Sequence, residues 1–80
     1  MTPLEISEYK QRWMSSGYNH PVRIHSDLRT KAKDWCKVQL FQHQWKHMQF
    51  TNVYEDTFYF EHLLDSTSFA HYFTDWVIND

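Results

Sequence analysis

One glycine, Gly17, stands in the whole chain of eighty residues, beside two prolines. That count removes whole classes of structure. A many-turned β-sandwich needs repeated turn residues with positive φ. A loop that cradles phosphate needs several glycines for close backbone approach. Scarce glycine and proline also argue against disorder. What remains is one domain, residues 1–80, made of a few regular elements with short connections. A domain this small buries only roughly 60% of its unfolded surface, so its core must be efficient. The aromatic content of 19% answers that need, because each buried ring removes about 150–250 Å² from water.

The lone cysteine, Cys36, excludes an internal disulfide framework and multi-cysteine zinc motifs. No apolar stretch approaches the roughly 18 residues of a membrane span. Residues 1–13 lack the apolar core of a secretory signal. The chain therefore reads as a soluble protein of the cytoplasm. Its net charge of −2 hides a sorted distribution. Residues 1–50 carry eight basic and four acidic groups, +4, whereas residues 51–80 carry six acidic and none basic, −6. Two solvated faces of opposite sign are the plain consequence, and they permit steering toward a charged partner or head-to-tail self-association.

Periodicity and caps predict six elements. Thr2, Pro3 and Glu5 form a capping-box start for a helix over roughly 3–15, with Ile6, Tyr9 and Trp13 on one face and Gly17 as the C-terminal cap. Val22 and Ile24 alternate with Arg23 and His25 in a short strand. Ser26 or Asp27 is expected to cap a second helix over roughly 27–41. Its apolar face is Leu28, Ala32, Trp35, Cys36 and Leu40, and Arg29, Lys33 and Lys37 form a basic stripe. Residues 43–50 alternate weakly as a strand, and Asn52 and Asp56 supply turn chemistry. Residues 57–62 give the strongest strand signal, with Phe58 and Phe60 on one face and Thr57, Tyr59 and Glu61 on the other. Asp65 or Ser66 should then cap a last helix bearing Phe69, Tyr72, Phe73, Trp76 and Val77.

The order α-β-α-β-β-α predicts a two-layer α+β sandwich, a three-stranded sheet with helices packed on one face. By analogy this is a ferredoxin-like arrangement without its fourth strand, with the first and last strands as neighbours.

His43 and His47 are the residues most suggestive of chemistry. In a helix they would share a face like half a zinc site. In a strand their Cα atoms stand about 13 Å apart, too far for one ion. Gln44 also occupies the place of the zinc-protease glutamate. Cys36 lies in an apolar stripe and reads as a buried structural thiol. Glu55 and Asp56 are successive turn residues whose side chains diverge, so they read as solvated. No catalytic set, cofactor site or metal site emerges.

An uncovered sheet face would carry Arg23, His25, Tyr59 and Glu61, with Trp45 and His47. Arg23, His25, Trp45, His47 and Tyr59 are accordingly the expected protein interface, for a second copy in a homodimer or for another protein. Helix 1 over this face would instead leave no open face. The alternative is a nucleic-acid-binding module that uses Tyr59 with the Arg29, Lys33 and Lys37 stripe. A second alternative is a metal protein or enzyme built on the histidines.

The stretches VRIHSD, WC, HQW and TNVYEDTFYFEH resemble a group of small proteins from T4-like phages of marine cyanobacteria. The resemblance covers most of residues 1–62. It implies a phage origin and action in the infected host's cytoplasm by contact with a host or phage protein. It supplies no activity and no site residues.

Overall fold

The computed structural model describes residues 2–52 and 54–78. It is a small α+β fold of three helices and a three-stranded antiparallel sheet. Helix α1 spans Pro3–Ser15. Thr2 Oγ1 accepts from the Glu5 amide at 3.2 Å, so the predicted cap is in place. The helix ends where the Tyr18 and Gly17 amides donate back to Trp13 and Met14 carbonyls. That pair of bonds requires a left-handed residue, and Gly17 supplies it with φ 102°. The inward placement expected of the Ile6 side chain lies outside the described residues.

Strand β1 is His20–His25, with Val22 and Ile24 buried as the alternation requires. A 3₁₀ turn, Ser26–Leu28, leads into α2, Arg29–Gln39. Neither Ser26 nor Asp27 caps this helix: both lie in the 3₁₀ turn, Leu28 holds the N-cap position without a side-chain bond, and the Ser26 hydroxyl donates to Asp56 instead. Leu28, Ala32 and Cys36 are buried, with Trp35 and Leu40 packed against them.

A second 3₁₀ turn, Gln42–Gln44, precedes β2, Trp45–Asn52. It is fastened by the Phe41 amide on Gln44 Oε1 at 2.8 Å. His43 therefore sits in a turn and not in the predicted strand. Strand β3 is Glu55–Phe60. It begins two residues earlier than its aromatic alternation suggested, so Asp56 is a buried strand residue and not a turn residue. The turn role expected of the Asn52 side chain lies outside the described residues. Tyr54, at φ 62°, turns the chain in an uncommon left-handed conformation, and its carbonyl accepts from the Ser26 amide at 2.9 Å.

Helix α3 is Leu63–Tyr72. It starts before the expected Asp65 or Ser66 cap, and the Ser66 hydroxyl donates instead to the Leu63 carbonyl at 2.8 Å. It also stops sooner than its apolar spacing implied. Thr74 Oγ1 donates to the His71 carbonyl at 2.6 Å, and a 3₁₀ turn, Thr74–Trp76, follows. Trp76 is left 44% exposed, while Val77 bridges Ile24 and Ile78 donates to the Arg23 carbonyl at 2.9 Å.

The sheet order is β1-β3-β2, with both pairings antiparallel. Central β3 is buried from Asp56 through Phe60, so both of its faces are covered. One face, bearing Val22, Ile24, Phe58 and Phe60, receives α2 and α3 through Phe69. The other receives α1, whose Trp13 meets Tyr59 edge-on at 5.3 Å. The expectation of helices on one face only is thus corrected: α1 supplies a third layer. Met48, Thr57 and Tyr59 are buried on that side. Among the described residues no helix is long and apolar enough to cross a membrane.

Candidate functional site

The residues expected to form one interface are divided by the sheet. Register places Tyr59 and Arg23 on the α1 side, opposite Lys46 and Thr57 respectively. It places Trp45 and His47 opposite Phe60 and Phe58, on the α2–α3 side. Tyr59 is buried, and Arg23 pairs with Glu55 at 3.4 Å. His25 is exposed beside Trp76, with ring centroids 6.2 Å apart. The five therefore make no common patch. The nucleic-acid set separates too, since Tyr59 lies across the sheet from α2.

What the fold does assemble is a polar cluster around Asp56, a carboxylate with no solvent exposure. Strand β3 points it inward one step beyond Phe58. Arg29, from the first turn of α2, donates through Nε at 2.6 Å and Nη2 at 3.3 Å. Ser26 donates its hydroxyl to Oδ1 at 2.8 Å. His47 Nε2, from β2, lies 2.7 Å from Oδ2 and faces an acceptor, which makes it the donor. The His47 ring stacks on Phe58 at 4.5 Å.

Electrostatics assign roles within this cluster. The Asp56 hydrogen bond raises the Arg29 pKa, so the guanidinium is a firm counter-charge. Burial lowers the His47 pKa from its ordinary 6.5, outweighing Asp56, and Lys33 and Arg29 push the same way. His47 is then neutral near pH 7. Ser26 and His47 both bind Asp56, so the relay order of a hydrolase, nucleophile to imidazole to carboxylate, is not formed. The cluster fastens β3 to β2 and to the start of α2. Cys36 is buried as expected, and desolvation pushes its thiol up to about 12. Among the described residues no group of three His, Cys, Asp or Glu side chains could hold a metal ion.

The lowered His47 pKa has a consequence for stability. Above pH 6.5 neither folded nor unfolded His47 is charged, and the fold keeps the full contribution. Below 6.5 the unfolded chain takes up a proton that the folded ring resists, so stability falls with acidification. Thermal melts between pH 7.5 and 5 should show that fall, and it should flatten in His47→Gln. An unchanged pH slope in that variant would assign the effect to another group.

Beside the cluster, two clefts flank α2. One, about 480 Å³, lies between α2 and β2 and is lined by Lys37, Leu40, Gln42, Trp45, Lys46 and His47. The other, about 460 Å³, lies between α2 and α3 and is lined by Trp35, Val38, Tyr72 and Phe73 together with Lys31, Asp34 and Gln39. Sequence periodicity had put Trp35 inside. It did not mark Val38, which is 80% exposed, or the 68% exposure of Tyr72.

Comparison with protein-family models, curated proteins and solved structures finds no match to this chain.

Proposed function

We propose that this chain acts by protein–protein contact and without catalysis, first of all as a homodimer, through the cleft between α2 and α3. The observation that carries this reading is the outward apolar strip of Trp35, Val38 and Tyr72. Val38 and Tyr72 are among the most exposed large apolar residues of the chain. A monomer has no use for them in its own core, and exposed apolar side chains gathered in one cleft mark an interaction surface. A second copy is favoured because the cleft lining carries both signs, Lys31 and Asp34. Across a two-fold axis, Lys31 of one protomer would meet Asp34 of the other, and the reverse contact would form by symmetry.

The same reading takes the topology as ferredoxin-like. The Val77 bridge lies on the edge of β1 away from β3, so the spatial order is C-terminal segment, β1, β3, β2. A fourth strand reduced to one bridge would occupy its usual place, and α1 would be an addition on the opposite face. In line with the cyanophage resemblance, the setting would be the cytoplasm of an infected cell, with a host or phage protein as the other candidate occupant.

Light scattering after size-exclusion chromatography tests the proposal. A dimer is expected at high concentration, and Val38→Glu should give a monomer. Lys31→Glu alone should weaken the dimer and Asp34→Lys in the same chain should restore it. A strict monomer at every concentration would sink the homodimer, as would a dimer indifferent to Val38→Glu.

A further inference from the structure

We infer that the outer edge of β2 is a docking site for an extended acidic segment of another protein, added antiparallel as a further strand, with carboxylate and apolar side chains in alternation. The order β1-β3-β2 makes β1 and β2 the edges of the sheet. The β1 edge is closed: Pro21 offers no N–H there, the Arg23 carbonyl accepts from Ile78 at 2.9 Å, and Val77 bridges Ile24. Among the described residues no strand pairs with the outer edge of β2. An edge left open in this way is a template for strand addition.

The Glu61 amide donates to the Gln44 carbonyl at 3.1 Å. By the alternation of an antiparallel ladder, Lys46 and Met48 then turn their main chain toward β3 as well, and Trp45 and His47 turn theirs outward. Clefts flank these outward groups on both faces. The α2–β2 cleft lies on one face, and a cleft of about 300 Å³ between α1 and β2, lined by Tyr9, Trp13, His47, Met48 and Gln49, lies on the other. His47 stacks its ring on Phe58 on the α2 side, yet it borders both clefts. Lys46 points to the α1 side, with its ammonium 5.4 Å from the centre of the Tyr18 ring, yet it borders the α2–β2 cleft. Each reaches the second cleft through its main chain, so the edge is open from both faces.

Alternate side chains of an added strand would enter the two clefts. Charge complementarity selects the occupant. Neither lining holds a carboxylate, and both come wholly from residues 1–50, the half of net charge +4. Exposed Lys37 supplies a counter-charge on the α2 side, whereas Tyr9, Trp13 and Met48 make the α1 side largely apolar. In antiparallel pairing, directly opposite residues share a face. The peptide residues bonded to Trp45 and His47 are therefore the acidic ones, and their neighbours are apolar. The register shift between Met48 and Asn52 ends the regular edge, which limits the pairing to a few residues. This edge is separate from the α2–α3 cleft, and each proposal can fail without the other.

The test is NMR titration and amide hydrogen exchange of the ¹⁵N-labelled chain with a short end-capped peptide of alternating valine and glutamate. The Trp45 and His47 amides should exchange fast in the free chain and slowly at saturation, while those of Lys46 and Met48 stay slow throughout. N-methylation of the peptide's glutamates should abolish binding and N-methylation of its valines should leave it, because only the glutamate amides face β2. Lys37→Glu, an exposed change that leaves packing intact, should weaken binding by about tenfold. No saturable change, or binding indifferent to glutamate methylation, would overturn the added strand. A valine–lysine peptide that bound as tightly, or binding untouched by Lys37→Glu, would overturn the acidic partner. Slow exchange of Trp45 and His47 in the free chain, building up with concentration, would put a second copy on this edge and overturn the proposal as well.

Discussion

Replacing Arg29 by methionine is expected to destabilise the fold by about 3 kcal/mol, the lower end of the cost of stripping one partner from a buried ion pair. Domains of this size are stable by only about 5–10 kcal/mol, so the midpoint of urea unfolding should fall sharply. The reasoning rests on asymmetry. Asp56 has no exposure, and without the guanidinium its charge stays in the core. Arg29 keeps 24% of its side chain in solvent, so Asp56→Asn leaves a cation that can still turn to water. That substitution should cost less, about 1–2 kcal/mol. The imidazole gives a further check. Arg29 is one of the groups holding the His47 pKa down, and Asp56 pulls it up. In Arg29→Met the His47 pKa should therefore rise, and the variant's deficit should shrink below pH 6 as the ring takes over the counter-charge. Paired titration by NMR and melts at two pH values would show both. An Asp56→Asn cost equal to or above that of Arg29→Met would refute the assignment of Asp56 as the stranded charge.

The elements themselves were largely legible, because caps and periodicity act locally. Thr2, Gly17, the Val22–Ile24 alternation and the Phe58–Phe60 pair each mark a structure that a few neighbouring residues decide. The cluster was not legible, and the reason is specific. Asp56 follows Glu55 after a turn-rich stretch, and aspartate is a turn former. Extending the Phe60, Phe58 alternation one step further would have put Asp56 on the core face. Accepting a carboxylate there requires knowing that Arg29, Ser26 and His47 converge on it, from sequence distances of 27, 30 and 9 residues. The open sheet face failed for a similar reason. Nothing local says on which side α1 docks, and the Trp13–Tyr59 contact that decides it spans forty-six positions. The end of α3 was hidden by its apolar spacing, which continues through Trp76 and Val77 although Thr74 has already turned the chain.

The largest single loss should come from Phe69→Ala. Phe69 is fully buried, and its ring lies 5.1 Å from Phe58, 5.0 Å from Phe60, 4.9 Å from Phe73 and 5.5 Å from Trp35. It is thus the joint at which α3 meets both the sheet and α2. Truncating a buried phenylalanine costs about 3–5 kcal/mol through lost transfer energy and the cavity left behind. The aromatic pairs add to this, although not as a simple sum. In a domain with so few other core layers the cavity cannot close without moving α3, and a shift of α3 would loosen the Val77 bridge to β1 as well. Near-ultraviolet circular dichroism should weaken and urea unfolding should lose its steepness. Phe69→Leu retains most of the volume and should remain cooperatively folded, about 1 kcal/mol less stable. Phe41→Ala is the internal reference, since Phe41 is 73% exposed and its loss should stay within about 0.5 kcal/mol. If Phe69→Ala unfolded no more easily than Phe41→Ala, α2 and α3 would not be seated on the sheet through this ring, and the layer that forms one wall of both clefts would be misplaced.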